Sequence, residues 1–384
     1  MRRNLVVLMA FVVGSISLVL AQDGLRFNGY VVNFSSGQRL NSSYGLLGIA
    51  HQNIFADITR IRFRPSMGLW QDAYLMLEYE VNATYVSTSI PFQQPATRNP
   101  KQLVDLTWNP VQGAHWSIVH FVDRLYFRQI TSLGDFTIGR QRISWGTGRV
   151  WNPTDLFNPL NPTSYSKIEK DGVDAILAKF RLGDFSDFSV VYNAAERSVR
   201  DNYGFRLRTN IAGYDLSVMG GSFDGRPVVG ADFAGNLFDA GIRGEGILSG
   251  RGSSFNDHFI KYILGIDNQF TEKLYALAEY HYNGEGHTNP AQYEFSKLLN
   301  GSILNVGKQY LALQASYLLH PLVTVQGSLT KSFTDGSGYL GGTVAYSAAD
   351  EMSISIGGQY FFGDPFDEYW YYPSSLYARI DYYF

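Results

Sequence analysis

Basic side chains recur at every second position in several segments of the chain. Arg60, Arg62 and Arg64 alternate with Thr59, Ile61 and Phe63. Successive side chains of an extended strand point to opposite faces, so the three guanidinium groups would lie on one face. Six more cations lie in three other segments, two or four residues apart and so on one face of each strand: Arg124 and Arg128, Lys179 and Arg181, and Arg206 and Arg208. A row of cations of this kind attracts anionic or carboxylate-bearing molecules.

Two glutamates stand between the first and second of these basic segments. Glu78 and Glu80 alternate with Leu77, Tyr79 and Val81, so both carboxylates would lie on the polar face of their strand. Either they pair with neighbouring arginines in a purely structural network, or they orient a basic track that binds anionic solutes. Nine cations outnumber these two carboxylates, so both functions can coexist.

The same two-residue alternation, in segments of about ten residues, continues along the whole chain. Ile260, Tyr262, Leu264 and Ile266, for example, share one face. We expect about 18 strands (16 is possible). Their predicted starts lie near residues 25, 53, 71, 116, 135, 171, 185, 201, 213, 226, 238, 256, 273, 307, 322, 338, 351 and 375.

Loop lengths distinguish a soluble sandwich from a membrane barrel. If the first strand runs outward, the inner connections are all short, whereas the long ones (36–52, 87–115, 146–170, 284–306 and 362–374) all lie on the outer side. Outer-membrane barrels have short periplasmic turns and long extracellular loops. The sequence therefore predicts an all-β fold: one transmembrane antiparallel β-barrel. A short helix is expected within 289–299.

The two ends of the sequence suggest export and membrane assembly. Residues 1–21 have a basic start, an apolar run and a small residue, Ala21, before the expected cut, as in a signal peptide, which leaves 22–384 as the barrel domain. Leu376, Ala378, Ile380, Tyr382 and Phe384 form one apolar face. This strand resembles the C-terminal recognition strand of bacterial outer-membrane proteins. The resemblance implies the barrel-assembly machinery and outer-membrane lipid as partners.

The composition agrees with a barrel and argues against other classes of protein. Aromatic residues make up 15% and charged residues 17% of the chain. Many aromatics and few charges suit a barrel with aromatic girdles. Lys and Arg total 31 against 34 acidic residues, so the basic excess typical of nucleic-acid binding is absent. The chain contains 0 cysteines, which excludes disulfides and thiolate metal sites.

One segment combines basic residues with a loop rich in Pro, Asn and Asp. The sequence 139–146, Gly-Arg-Gln-Arg-Ile-Ser-Trp-Gly, continues into Trp-Asn-Pro-Thr-Asp-Leu-Phe-Asn-Pro at 151–159. It resembles a stretch of porin-like and alginate-export-like outer-membrane families. The resemblance implies a channel for sugars, oligosaccharides or organic anions, and a loop (146–165) that folds inward to narrow the pore. We expect the loop to act through Trp151, Asp155 and Phe157.

The strand that leads into this loop is less regular. Arg140 and Arg142 are candidate lining residues, but they share parity with Phe136 and Ile138, which suggests a bulge or a change of face. Asp123 likewise lies on the outward parity of its strand. The sequence alone does not explain either irregularity.

These observations favour a non-enzymatic, porin-type channel for passive diffusion of small hydrophilic solutes, with a preference for anionic or sugar-like ones. No cofactor and no metal are implied. The alternatives are a polysaccharide exporter, a plugged structural or adhesive barrel, and a hydrolase at the outer rim. The rim hydrolase would use His281, Glu285 and His287, although no hydrolase motif accompanies them.

Overall fold

The computed structural model describes residues 24–40, 53–88, 101–157, 169–196, 200–299 and 303–384. Within these residues, eighteen strands form one closed antiparallel barrel, as the sequence predicted. They are β1 (Gly29–Arg39), β2 (Asn53–Phe63), β3 (Ala73–Val86), β4 (Trp116–Ile130), β5 (Gly134–Gln141), β6 (Val173–Arg181), β7 (Asp187–Asn193), β8 (Asn202–Ile211), β9 (Tyr214–Phe223), β10 (Arg226–Leu237), β11 (Ala240–Gly250), β12 (His258–Gln269), β13 (Leu274–Asn283), β14 (Gln309–His320), β15 (Val323–Ser332), β16 (Gly338–Ala349), β17 (Met352–Phe362) and β18 (Ser374–Tyr383).

The barrel is closed by its first and last strands. β18 pairs antiparallel with β1 from Tyr30 opposite Tyr383 to Arg39 opposite Ser374. The backbones of Gly29 and Phe384 exchange two further hydrogen bonds, of 2.9 and 3.0 Å. Closure removes the unpaired strand edges that hydrocarbon cannot solvate.

Short elements accompany the barrel strands. Three short strands pair among themselves or with β3 and β4: Leu25–Arg26, Ser66–Trp70 and Thr107–Gln112. The segment expected to be helical contains a 3-10 turn, Pro290–Gln292, and a short helix, α1 (Phe295–Leu299). In the described part of the chain, no helix is both long and apolar enough to cross a membrane.

The strands carry apolar side chains outward and polar ones inward. Leu376 and Ile356 face outward and are 75% and 66% exposed. Arg62 and Glu80 face inward and are buried. A lipid-facing exterior and a polar interior are the arrangement of outer-membrane barrels.

Connections are sorted by length between the two ends of the barrel, as the sequence predicted. One end, the short-turn end, carries connections such as 131–133, 182–186, 212–213 and 321–322. The opposite end, the long-loop end, carries the connections 87–115, 142–172, 284–308 and 363–373.

Two local distortions explain the irregular parities in β4 and β5. The β3–β4 register passes from Glu78 opposite Arg124 to Tyr79 opposite Val122, so Asp123 is an extra residue in a β-bulge and turns inward. In β5, Gly139 has a φ of +122°, and Arg140 beyond it is buried although Ile138 faces outward. A left-handed φ of this kind favours glycine.

Candidate functional site

The arginine row of β2 lies inside the barrel in a dense network of ion pairs. The Arg62 guanidinium is 3% exposed and contacts carboxylates on two neighbouring strands. Its nitrogens lie 2.9 Å from Glu78, 2.7 Å from Glu80 and 2.9 Å from Asp123. Arg62 is therefore surrounded by protein carboxylates.

A loop residue that the sequence did not suggest completes this network. Glu169, which precedes β6, lies 3.0 Å from Arg62 and 2.8 Å from Arg124, and it also pairs with Arg64. The group, called here the balanced cluster, contains four cations and four carboxylates: Arg60, Arg62, Arg64 and Arg124 with Glu78, Glu80, Asp123 and Glu169. The formal charges of the balanced cluster cancel.

A second group of charges lines the lumen near the short-turn end. Asp135 accepts from Arg128 (2.8 Å) and from Arg181 (3.1 Å). Asp187 contacts both Lys179 (3.5 Å) and Arg208 (3.0 Å). We call these six residues the short-turn cluster: Arg128, Lys179, Arg181 and Arg208 with Asp135 and Asp187. Four cations share two carboxylates, which leaves a formal excess of two positive charges.

The remaining candidate cations differ in their surroundings. Arg206 is paired with Asp232 at 3.2 Å. Arg140 is buried and donates to Asp174 of β6 (2.8 Å), to the Val122 carbonyl (2.9 Å) and to the Val104 carbonyl, so it joins three segments where β5 leaves the wall. Arg142 follows β5 and is exposed.

The described part of the loop predicted to narrow the pore, 146–157, folds into the barrel together with residues 142–145, which lead into it. Trp145 and Phe157 pack edge-on at 5.1 Å and contact the inward Phe223 of β9. Trp151 stacks on His281 of β13 at 5.3 Å and packs against Tyr310 of β14. Residues 158–165 of the predicted constriction lie outside the described residues.

The three loop residues proposed from the sequence are anchors rather than exposed groups. Trp151, Asp155 and Phe157 are all buried, and Asp155 pairs with Lys170. The exposed side chains of the same loop belong to Arg142, Ser144 and Arg149. We call Thr147–Trp151 the loop tip.

A neighbouring outer loop meets this loop at Tyr310. The Tyr310 hydroxyl donates to Glu368 of the 363–373 loop, and Glu368 also accepts from Asn305 at 2.9 Å. Burial raises the pKa of Glu368 to about 7, although the hydrogen bonds from Tyr310 and Asn305 act in the opposite direction. Tyr310 thus contacts both inward-folding loops.

The residues considered for a rim hydrolase do not form one site in the described chain. His281 faces inward under Trp151, whereas His287 pairs with Glu294 at 3.6 Å. Glu285 contacts Lys261 (2.6 Å) and Arg226 (2.8 Å). Burial alone would raise the pKa of Glu285, but these two cations outweigh it and bring the pKa to about 2. The described residues contain no cluster of three or more His, Cys, Asp or Glu side chains that could hold a metal ion.

Sequence reasoning missed most of the carboxylates that face the lumen, and the count of two carboxylates against nine cations was wrong. Asp232 and Glu245 could have been found, because each lies on the buried parity of a regular strand. Asp123 was hidden by a bulge, and Glu169 lies in a loop. The missed inward acids include Asp123, Asp135, Glu169, Asp174, Asp187, Asp232, Glu245 and Glu279.

Comparison with known proteins identifies relatives in fold. A BenF-like porin from Pseudomonas fluorescens Pf-5 aligns over 94% of this chain and 98% of its own, with a TM-score of 0.59 and 9% sequence identity. Acinetobacter baumannii OccAB3 aligns over 94% of this chain and 99% of its own, with a TM-score of 0.59 and 9% identity. Pseudomonas aeruginosa OccK5 (OpdH) aligns over 94% of this chain and 98% of its own, with a TM-score of 0.58 and 10% identity. At such low identity the likeness establishes the fold. No protein-family model matches the sequence, and no curated protein matches it.

Proposed function

We propose that this chain is an outer-membrane channel through which small hydrophilic solutes diffuse passively, with a preference for anionic or sugar-like ones. The observation that carries the proposal is the sorting of side chains in a closed 18-strand barrel: apolar groups face outward and charged groups line the interior in the described residues. Barrels of 16 to 18 strands are wide enough for an aqueous channel. The shared fold with a BenF-like porin agrees with this function.

The membrane supplies the first partner. The outward belt of leucine, isoleucine and aromatic side chains fits outer-membrane lipid, with the short-turn end in the periplasm. The ring of Phe384 packs against Phe27 (6.0 Å) and Phe63 (6.3 Å) beside the closing strand pair. Recognition of this strand by the barrel-assembly machinery is part of the same proposal.

The preference for anions rests on the short-turn cluster. Its cations are about half-exposed, and they exceed their carboxylates by two. An exposed excess of one charge sign in a narrow cleft raises the local concentration of counter-charged solutes. The balanced cluster contributes no such excess. Neutral lining predominates on β14 to β17, where inward groups include Gln314, Ser328 and Thr343.

The test is single-channel recording of the refolded chain in a planar bilayer under a KCl gradient. The proposal predicts stable openings with an anion-selective reversal potential. Open but unselective current would retain the channel and remove the anion preference. The absence of current through a correctly folded barrel would overturn the proposed channel function and favour a plugged structural barrel.

A further inference from the structure

Two inward carboxylates of the wall accept hydrogen bonds from the backbone of the inward loop. Glu245 of β11 is buried and receives the N–H groups of Thr147 (2.5 Å) and Gly148 (3.2 Å) on one oxygen. Its other oxygen receives the N–H of Thr154 at 3.2 Å. One side chain thus binds the start of the loop tip and Thr154, which lies beyond its end.

Glu279 of β13 binds the rest of the tip in the same way. Its Oε2 accepts from the N–H of Arg149 at 2.8 Å, and its Oε1 accepts from Val150 at 3.1 Å and Trp151 at 2.7 Å. Glu279 is 1% exposed. Three successive amides of the loop therefore converge on one carboxylate.

Neither carboxylate forms an ion pair within the described residues. Arg243, which shares the inward parity of β11 with Glu245, is paired with Asp267. A buried carboxylate without a cation needs other donors, and backbone N–H groups that point into one concavity supply them. Here the loop supplies those donors, so these two side chains bind its backbone directly. Arg243 adds one hydrogen bond, to the Thr147 carbonyl at 3.2 Å.

The loop backbone is shaped to present its amides to the wall. Gly146 has a φ of +100°, and a Cβ on this residue would approach a Glu245 carboxylate oxygen to 2.5 Å. A Cβ on Gly148 would lie 1.9 Å from the Trp151 carbonyl oxygen. Only glycine fits this compact turn at both positions.

We propose that Glu245 and Glu279 are positioning residues for the channel's constriction: they hold the loop tip on the β11–β13 wall and fix where Arg149 projects into the lumen. Arg149 is exposed, and within the described residues its guanidinium forms no ion pair or hydrogen bond. Glu279 binds the backbone N–H of that same residue. The inference rests on the proposed channel function and names the residues that set its conductance and charge preference.

The decisive variant is E279Q. A glutamine amide carries a donor where one carboxylate oxygen stood, so at least one loop N–H loses its acceptor. Removing a negative charge from a lumen would by itself make the pore more anion-selective. Release of Arg149 has the opposite effect. We expect the release of Arg149 to outweigh the loss of the carboxylate, because Glu279 is buried and Arg149 is exposed. E279Q should therefore lower anion selectivity and raise conductance about twofold, with a similar change for E245Q.

A double-mutant comparison separates positioning from direct electrostatics. R149Q should also lower anion selectivity. In the R149Q background E279Q should no longer lower it, because only the direct effect of the lost carboxylate remains, and that effect favours anions. D381N is the matched control, since Asp381 faces the lumen from β18 and pairs with Arg379. D381N should keep the wild-type conductance level.

Several outcomes would contradict the inference. Wild-type conductance and reversal potential in both E245Q and E279Q would overturn it while leaving the channel intact, and so would a gain in anion selectivity in E279Q. A silent wild type would overturn the proposed function and this inference with it. If the variants fail to fold, amide hydrogen exchange of the wild type decides, because rapid exchange at Arg149 and Trp151 would show that the tip is not held.

Discussion

The balanced cluster and the short-turn cluster are built from the same residue types but differ in exposure and charge. Cations of the balanced cluster are 3–26% exposed, and four carboxylates cancel their charge. Those of the short-turn cluster are 39–54% exposed and share two carboxylates. A basic row in a sequence therefore has two different meanings, and only the exposed excess creates a field that a solute can sense.

The difference separates stability from selectivity. A buried arginine among carboxylates leaves uncompensated charge behind when it is removed, which is strongly destabilising. A half-exposed ion pair contributes little to stability, since water screens it. The balanced cluster should hold the wall and the 142–172 loop together, whereas the short-turn cluster should select solutes.

The largest expected effect follows from removing the centre of the balanced cluster. Arg62→Met leaves Glu78, Glu80 and Asp123 without their shared cation, so we expect a loss of roughly 3–5 kcal/mol of unfolding free energy. Urea unfolding of the refolded barrel measures it. Arg208→Met is the matched control and should cost less than about 1 kcal/mol. Equal losses in the two variants would abolish the distinction between the clusters.

A smaller effect, on transport alone, is expected when the short-turn cluster loses two cations. R181Q/R208Q changes the formal excess from two positive charges to none, so the entry of anions should fall while that of neutral solutes is kept. Swelling of liposomes in gluconate and in glucose, which are similar in size, measures the ratio. An unchanged ratio would show that these residues do not select solutes.

The opposite substitution sharpens the comparison. D135N/D187N doubles the excess from two to four positive charges, because each aspartate is shared by two cations. We expect the reversal potential to move further toward the anion value, with a modest loss of stability. A shift toward cations would contradict the charge count.

The smallest effect is expected from salt. The Debye length falls from about 10 Å at 0.1 M to about 3 Å at 1 M ionic strength, so high salt should reduce the selectivity difference between wild type and R181Q/R208Q. The stability defect of R62M should persist, since buried pairs are screened much less. Repeating both measurements at high KCl tests this; persistence of the selectivity difference would argue against a long-range field.

Strand order, strand number and loop sorting could be predicted from the sequence because they depend on local alternation. Side chains such as Ile260 and Leu264 report their face through spacing alone. Parity also placed Arg60 and Arg62 inside correctly. The alternation could not identify the ion-pair partner of each charged side chain. Pairing depends on the register between strands and on the paths of the loops.

Three particular residues illustrate where sequence reasoning ended. Asp123 turns inward only because a bulge shifts the register at Glu78. Glu169 reaches Arg62 from a loop whose path carries no periodic signal. Trp151 was selected correctly as a loop residue, but its burial against His281 makes it an anchor. Such tertiary contacts override local pattern.

The most direct test of the account compares two double variants that remove the same formal charge from different clusters. R181Q/R208Q and R60Q/R64Q would each be recorded in a planar bilayer under a KCl gradient, with folding checked by urea unfolding. The account predicts that R181Q/R208Q loses the anion-selective reversal potential, while R60Q/R64Q, whose side chains are less exposed, shifts it less and is less stable. Loss of selectivity in R60Q/R64Q, with wild-type selectivity in R181Q/R208Q, would contradict it.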